Sequence, residues 1–368
     1  MKVKFHNIYK SLTDKKKIEK KIINLIRENK FVGGKEVLQF EKNFSKFVKS
    51  KYCISVGNGT DALEIALEAL KIKKGSEIIV PVNTWISTAE IVKRNGYNLV
   101  FCDINLEDYS INIEDLERKI NKNTKVIIPV HLYGIPSNMI KIKKIVKGKN
   151  IKIIEDCAQA HGAKIKNQHV GTFGDIGTFS FYPGKNLGAF GDAGCLITNN
   201  LKYASLCQRI KNHGAQKKYD HKILGRNSRL DTIQCAILNI RLKSYNKILK
   251  KRNLNAKYYL KELKNLIALE LPIQNKNNKC SYHQFVVRLN KRNSLQNYLK
   301  KNGVETMIHY HYMLSELNIF NDAKGKKTLK KSKNLGKKIL SLPISEEHTK
   351  KEIYFVINLI KNFFKKNF

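Results

Sequence analysis

The chain has 368 residues, 42% of them hydrophobic, which is enough for two domains with buried cores. Lysine and arginine together number 70 against 30 acidic residues, a formal charge of +40. The lysines are spread along the chain and no zinc-finger or ribonucleoprotein signature accompanies them, so an anionic small molecule is expected as partner and nucleic acid is not. The seven cysteines are scattered without a Cys-x-x-Cys pair, which argues against a disulfide framework or zinc ribbon. No apolar run reaches membrane-spanning length and the first residues lack a secretory signal, so a cytoplasmic enzyme or binding protein without membrane insertion is expected.

Residues 12–30 carry Ile18, Ile22, Ile23, Leu25 and Ile26 among lysines, the pattern of an amphipathic helix. After the turn Phe31-Val-Gly-Gly34, a second helix follows with Leu38, Phe40, Phe44 and Phe47. Tyr52-Cys-Ile-Ser-Val56 reads as a buried strand, followed by Gly57-Asn-Gly-Thr-Asp-Ala-Leu63 and an Ala/Leu-rich helix to Leu70. A glycine turn between strand and helix aims free N–H groups at one spot and suits an anion, with Gly59 and Thr60 as candidates; Thr60 could equally be a plain helix cap. Ile78-Ile-Val-Pro-Val82 is the next strand, and Trp85 just beyond it stands where an α/β sheet keeps its ligands. An indole there can stack on a flat ring, or simply fill the core.

Strands at 99–102, 126–130 and 151–154 alternate with helices near 113–120 and 139–146, which implies a parallel or mixed α/β sheet. The last of these delivers Glu155 and Asp156 to its carboxyl end, with Gln159 close behind. His131 also follows a strand end and receives no role from the sequence. The stretch Thr178-Phe-Ser-Phe-Tyr-Pro-Gly-Lys-Asn-Leu-Gly188 holds Lys185 among aromatic residues and glycines. A lysine so placed loses hydration of its charged form and becomes a nucleophile toward carbonyls. Asp156 on a neighbouring strand end is the expected partner of a pyridinium nitrogen, so a Schiff-base lysine for pyridoxal phosphate is the working reading. A strand at 194–198, a basic aromatic loop at 212–221 and a long helix after Asp231 lead to a domain boundary near 245, giving a large domain 1–245 and a small one 246–368. A strand at 282–289, a helix near 294–302 and a last helix over 353–364 complete the chain. His309-Tyr-His311 has metal-like spacing without a neighbouring carboxylate or cysteine, so no metal is expected.

Taken together, Gly57-Asn-Gly-Thr-Asp-Ala-Leu, Glu155-Asp-Cys-Ala-Gln-Ala-His-Gly, Ser180-Phe-Tyr-Pro-Gly-Lys-Asn-Leu-Gly, Gly191-Asp-Ala-Gly and Asn227-Ser-Arg-Leu-Asp-Thr-Ile-Gln resemble the DegT/DnrJ/StrS family of pyridoxal-phosphate nucleotide-sugar aminotransferases. The resemblance implies an aspartate-aminotransferase-type fold, a mixed seven-stranded sheet flanked by helices with a smaller C-terminal α+β domain. It also implies a homodimer with shared active sites. Lys185 would carry the cofactor, Asp156 pair with its ring nitrogen, Gln159 meet its ring hydroxyl and Trp85 stack on it. Gly59, Thr60 and Ser180 would hold the phosphate from one subunit and Asn227 from the other. Glutamate would be the amino donor and a dTDP- or UDP-linked keto sugar the acceptor, contacted by Tyr182, Tyr219, Arg229 and His309. Tyr182-Pro-Gly-Lys-Asn-Leu-Gly188 together with Asn212-His-Gly, Lys218-Tyr-Asp-His and Gly225-x-Asn-Ser-Arg-Leu-Asp-Thr232 is similar to the branch acting on 3-keto sugars; a 4-keto sugar, or a silent basic binding or regulatory protein on the same scaffold, is the alternative.

Overall fold

Short apolar strands alternating with amphipathic helices assemble into one mixed sheet with helices on both faces. The computed structural model describes residues 1–273 and 275–367. Helices α1 (Ile8–Ser11), α2 (Lys15–Arg27) and α3 (Lys35–Val48) precede β1 (Tyr52–Val56). Then follow α4 (Gly59–Ala69), β2 (Glu77–Pro81), α5 (Ser87–Arg94), β3 (Asn98–Cys102), α6 (Ile113–Lys119), β4 (Thr124–Ile127), α7 (Met139–Val146) and β5 (Lys152–Asp156). A hairpin of β6 (Lys164–Ile165) and β7 (Gln168–His169) leads into β8 (Ile176–Ser180), β9 (Gly194–Thr198) and α8 (Leu201–Ile210). A second hairpin, β10 (Ala215–Lys217) and β11 (Asp220–His221), precedes the long α9 (Thr232–Leu263). The remainder contains β12 (Asn278–Lys279), β13 (Phe285–Arg288), α10 (Arg292–Lys301), β14 (Ile339–Leu342) and α11 (Lys350–Asn367).

The main sheet has seven strands in the order β1-β9-β8-β5-β4-β2-β3. Only β9 runs against its neighbours, antiparallel to both β1 and β8. Its strands are buried on both faces, as β2 shows with all five residues inside, which is why they read as unbroken apolar runs. The fold class is the mixed α/β sheet expected. Where boundaries differ from expectation, local chemistry explains it. The strand expected at 126–130 stops at Ile127 because Pro129 has no N–H to donate, although its carbonyl still accepts from Asp156 at 2.9 Å. The strand expected from 282 starts at Phe285, since Tyr282 sits at φ 45° in the left-handed region.

Residue 245, the expected boundary, lies inside α9. Tyr245 shares an apolar cluster with Phe40, Phe44 and Phe179, whereas Ala256, Tyr259 and Leu263 belong to a second cluster with Phe285, Leu295 and Ile357. That second core covers the antiparallel pair β13–β14 with α10 and α11. The first residues of the chain join it too, Val3 bridging to Val304. No helix among the described residues is long and apolar enough to cross a membrane.

One buried carboxylate fixes the carboxyl end of β5. Glu155 accepts the N–H groups of Gly171, Phe173 and Gly174 at 2.6–2.8 Å and sits 3.0 Å from His131 Nε2. Because His131 Nδ1 accepts from the Ser137 N–H, Nε2 carries the proton and donates to Glu155. Replacing Glu155 with Ala strands these donors in the core. The Glu155→Ala protein should lose about 3 kcal/mol or more in urea unfolding, and an unchanged midpoint would refute this role.

Candidate active site

The site lies where β5 and β8 end side by side. Their register pairs Asp156 with Thr178, so Ser180 emerges two residues further on, next to the turn that carries Lys185. That turn closes with the Lys185 N–H donating to the Tyr182 carbonyl at 2.8 Å. Ala189 N–H returns to Phe181 O at 2.7 Å, and Arg241 holds the Gly188 carbonyl at 2.5 Å. Gly188 is required here, because a Cβ would stand 2.5 Å from the Pro183 carbonyl oxygen. The loop is therefore wound tightly around a single amine.

Burial lowers the Lys185 pKa from 10.5 to about 8, while the negative charge of Asp156 works in the opposite direction. No hydrogen bond or ion pair ties the amine to another described residue, so it is left available for chemistry. Asp156 is buried, and burial raises its pKa; the Ala158 N–H, the Thr88 hydroxyl and the charge of Lys185 pull it back. The two bonds to the carboxylate are Ala158 N to Oδ1 at 3.1 Å and Thr88 Oγ1 to Oδ2 at 2.8 Å.

Gln159 is held at both ends of its amide. Its oxygen accepts the Tyr133 N–H at 2.8 Å and its nitrogen donates to the Tyr310 hydroxyl at 3.0 Å. Tyr310 in turn packs against Trp85, ring centres 5.6 Å apart. Trp85 is 57% exposed and so is not the core aromatic that it could have been. Tyr133 reaches across with its hydroxyl to the His309 carbonyl. His309 is pushed down to about pKa 4, by burial first and then by the charges of Lys185 and His311, so its ring is neutral; Nδ1 lies 2.8 Å from the Ser341 hydroxyl.

The opposite wall is the start of α4. Asn58, not Thr60, caps this helix, its side chain accepting from the Asp61 N–H at 2.8 Å. Thr60 instead lies within the first turn, its hydroxyl 2.7 Å from that of Ser87. The N–H groups of Gly59 and Thr60 have no partner among the described residues. Gly59 touches Ser180 so closely that a Cβ would sit 2.6 Å from the serine Cβ. Free helix-end donors beside two hydroxyls form an anion cradle, and with a buried amine facing a carboxylate they fit pyridoxal phosphate.

The loop 212–231 remains more open. Asn227 bridges to Asn212 and is exposed; Arg229 and Tyr219 are exposed as well, the latter at 82%. Ser228, which sequence reasoning did not single out, anchors the loop by accepting from Gly57 N–H at 3.0 Å and donating to Asp61 at 2.5 Å. Tyr182 projects from the lysine turn, also exposed. Tyr310, Tyr133, Ser87 and Thr88, which hold Gln159, Thr60 and Asp156 by hydrogen bonds, are the other residues not foreseen.

The chain matches the model of the DegT/DnrJ/EryC1/StrS aminotransferase family over residues 12–361. It is 37% identical over 348 residues to a dTDP-3-amino-3,6-dideoxy-alpha-D-galactopyranose transaminase of Aneurinibacillus thermoaerophilus, covering 95% of each chain. Its fold superposes on DesV of S. venezuelae, solved with a ketimine intermediate, with a TM-score of 0.96, 30% identity and 99% of both chains covered. It also superposes on NtdA of Bacillus subtilis with bound cofactor PMP, with a TM-score of 0.92 at 30% identity, covering 99% of this chain and 85% of that one.

The electrostatics of Lys185 can be read directly. In cofactor-free protein, modification of Lys185 by an amine-selective reagent, followed by peptide mass spectrometry, should rise through a midpoint near pH 8. Since the Asp156 charge raises that midpoint, Asp156→Asn should move it lower still; a midpoint close to 10.5 in either protein would contradict the site as described.

Proposed function

The chain belongs to the DegT/DnrJ/EryC1/StrS aminotransferase family, and from that membership we propose that it moves an amino group from glutamate to the C3 keto group of a dTDP- or UDP-linked sugar in cytoplasmic amino-sugar biosynthesis. It is a nucleotide-sugar transaminase with pyridoxal phosphate as cofactor. The observation that carries the reading is the buried Lys185 amine set against Asp156, with the open donors of Gly59 and Thr60 on the other side.

Bound pyridoxal phosphate supplies an electron-withdrawing ring that makes the α-proton of an attached amine acidic. The protein's residues do the rest. Asp156, whose carboxylate accepts from the Ala158 N–H and the Thr88 hydroxyl, would pair with the ring nitrogen and hold a proton there. Gln159 would orient the ring through its amide, and Trp85 would stack on it. Gly59, Thr60 and Ser180 would hold the phosphate. With its pKa lowered to about 8, Lys185 is partly neutral near pH 7–8, so its Nζ could take up the proton that leaves the donor's α-carbon and give it up again. The neutral ring of His309, with Tyr182, Tyr219 and Arg229, would contact the sugar nucleotide.

The C3 assignment is supported by the loop 212–232 and by the likeness to a transaminase of a dTDP-3-amino sugar. A homodimer is supported by a set of exposed apolar residues on linked loops. Phe31, Val32, Phe190 and Leu224 are exposed, Val32 bridges to Asp231, and Phe190 N–H donates to Gln234 at 2.8 Å. A second copy covering them would bring its Asn227 toward the phosphate. Purified protein loaded with pyridoxal phosphate should convert 3-keto dTDP- or UDP-sugars with glutamate as donor. Turnover confined to 4-keto nucleotide sugars would overturn the C3 assignment.

A further inference from the structure

Adjacent residues at the start of α5 contact both ends of the candidate cofactor site. Ser87 lies 2.7 Å from the hydroxyl of Thr60, in the anion cradle. Thr88 lies 2.8 Å from Asp156 Oδ2, at the opposite end. Both side chains are buried, Thr88 completely. Behind Thr88 stands Thr84, itself buried, with hydroxyl oxygens 3.1 Å apart. A carboxylate can only accept, so Thr88 must donate to Asp156, and the bond between the two threonines must then run from Thr84 to Thr88. The order of donors is fixed by the charge at the end of the chain. The helix is in turn immobilised by Ala89, Ile91 and Val92, all fully buried in the core that packs against the main sheet.

We propose that the first turn of α5 is a clamp shared by the two halves of the site, with Thr88 the positioning residue for Asp156 and Ser87 the positioning residue for Thr60. One rigid helix end then sets the separation between the group that holds the phosphate and the group that holds the ring nitrogen. Thr88 acts on the cofactor only through Asp156: its bond to Oδ2, with the Ala158 N–H on Oδ1, fixes the plane of the carboxylate and favours its charged form. A hydrogen bond to a charged group in a buried setting is among the stronger ones, so its loss is felt at the ring end of the cofactor. The bond between Ser87 and Thr60 is neutral, and its loss is smaller and confined to the phosphate end.

The inference rests on the pyridoxal-phosphate reading, and the test separates the two. Equilibrium binding of pyridoxal phosphate and of pyridoxal to cofactor-free protein is followed by the visible absorption of the bound ligand. Thr88→Val should weaken both ligands by about tenfold or more, because the defect lies at the ring they share. Thr88→Ser, which keeps the hydroxyl, should remain within about twofold of the parent. Ser87→Ala should weaken pyridoxal phosphate by about threefold and leave pyridoxal unchanged. If Thr88→Val fails to fold, Thr88→Ala removes the same hydroxyl and reads the same quantity. Parent-like affinity of the Thr88→Val or Thr88→Ala protein for both ligands overturns the clamp while the cofactor reading stands. Failure of the parent to take up pyridoxal phosphate overturns the cofactor reading itself.

Discussion

An amine held out of water opposite a carboxylate is the constraint on which this molecule's chemistry depends. Burial alone would push Lys185 far toward its neutral form, and the charge of Asp156 restrains that shift to leave a pKa of about 8. The balance needs both groups in place without a direct ion pair, which would tie the amine up as an ammonium. The fold provides this by ending β5 and β8 side by side, then winding the lysine turn back so that its backbone bonds to itself and to Arg241. Much of the surrounding structure serves to keep this geometry rigid, from the four donors gathered by Glu155 to the packing of Phe40 and Phe44 edge-on against Phe181.

The C-terminal part of the chain contributes to the candidate site as well as forming its own apolar core. His309 and Tyr310 come from the segment before β14, yet Tyr310 shares Gln159 with Tyr133 and leans on Trp85. The N-terminal residues reinforce that arrangement from behind: Phe5 lies 6.0 Å from the His309 ring, and His348 Nε2 lies 2.9 Å from the Lys4 carbonyl. Displacing the second core would therefore disturb a wall of the site.

The sheet was legible in the sequence because its strands are buried on both faces and read as short apolar runs between helical periods. Lys185 and Asp156 were legible for a related reason: a charged residue between aromatics and glycines, or at the end of a buried strand, stands out against its surroundings. Thr60 was only half legible. Its hydroxyl fitted both a cap and an anion site, and the cap proved to be Asn58. Thr88, Ser87 and Tyr310 carried no local signal at all. Their roles come from contacts between segments far apart in the chain, and a threonine in the first turn of an ordinary helix looks the same whether or not a carboxylate lies opposite. The short strands β6, β7 and β12 escaped for the same reason, since two-residue strands are defined by their partners and not by their own pattern.

The most direct measurement of the central claim is to reduce the pyridoxal-phosphate-loaded protein with borohydride, digest it and locate the modified residue by mass spectrometry. A single pyridoxyl group on the peptide containing Lys185 is the result this structure requires. Label on another of the chain's many lysines, or no covalent label on a protein that has bound the cofactor, would contradict it.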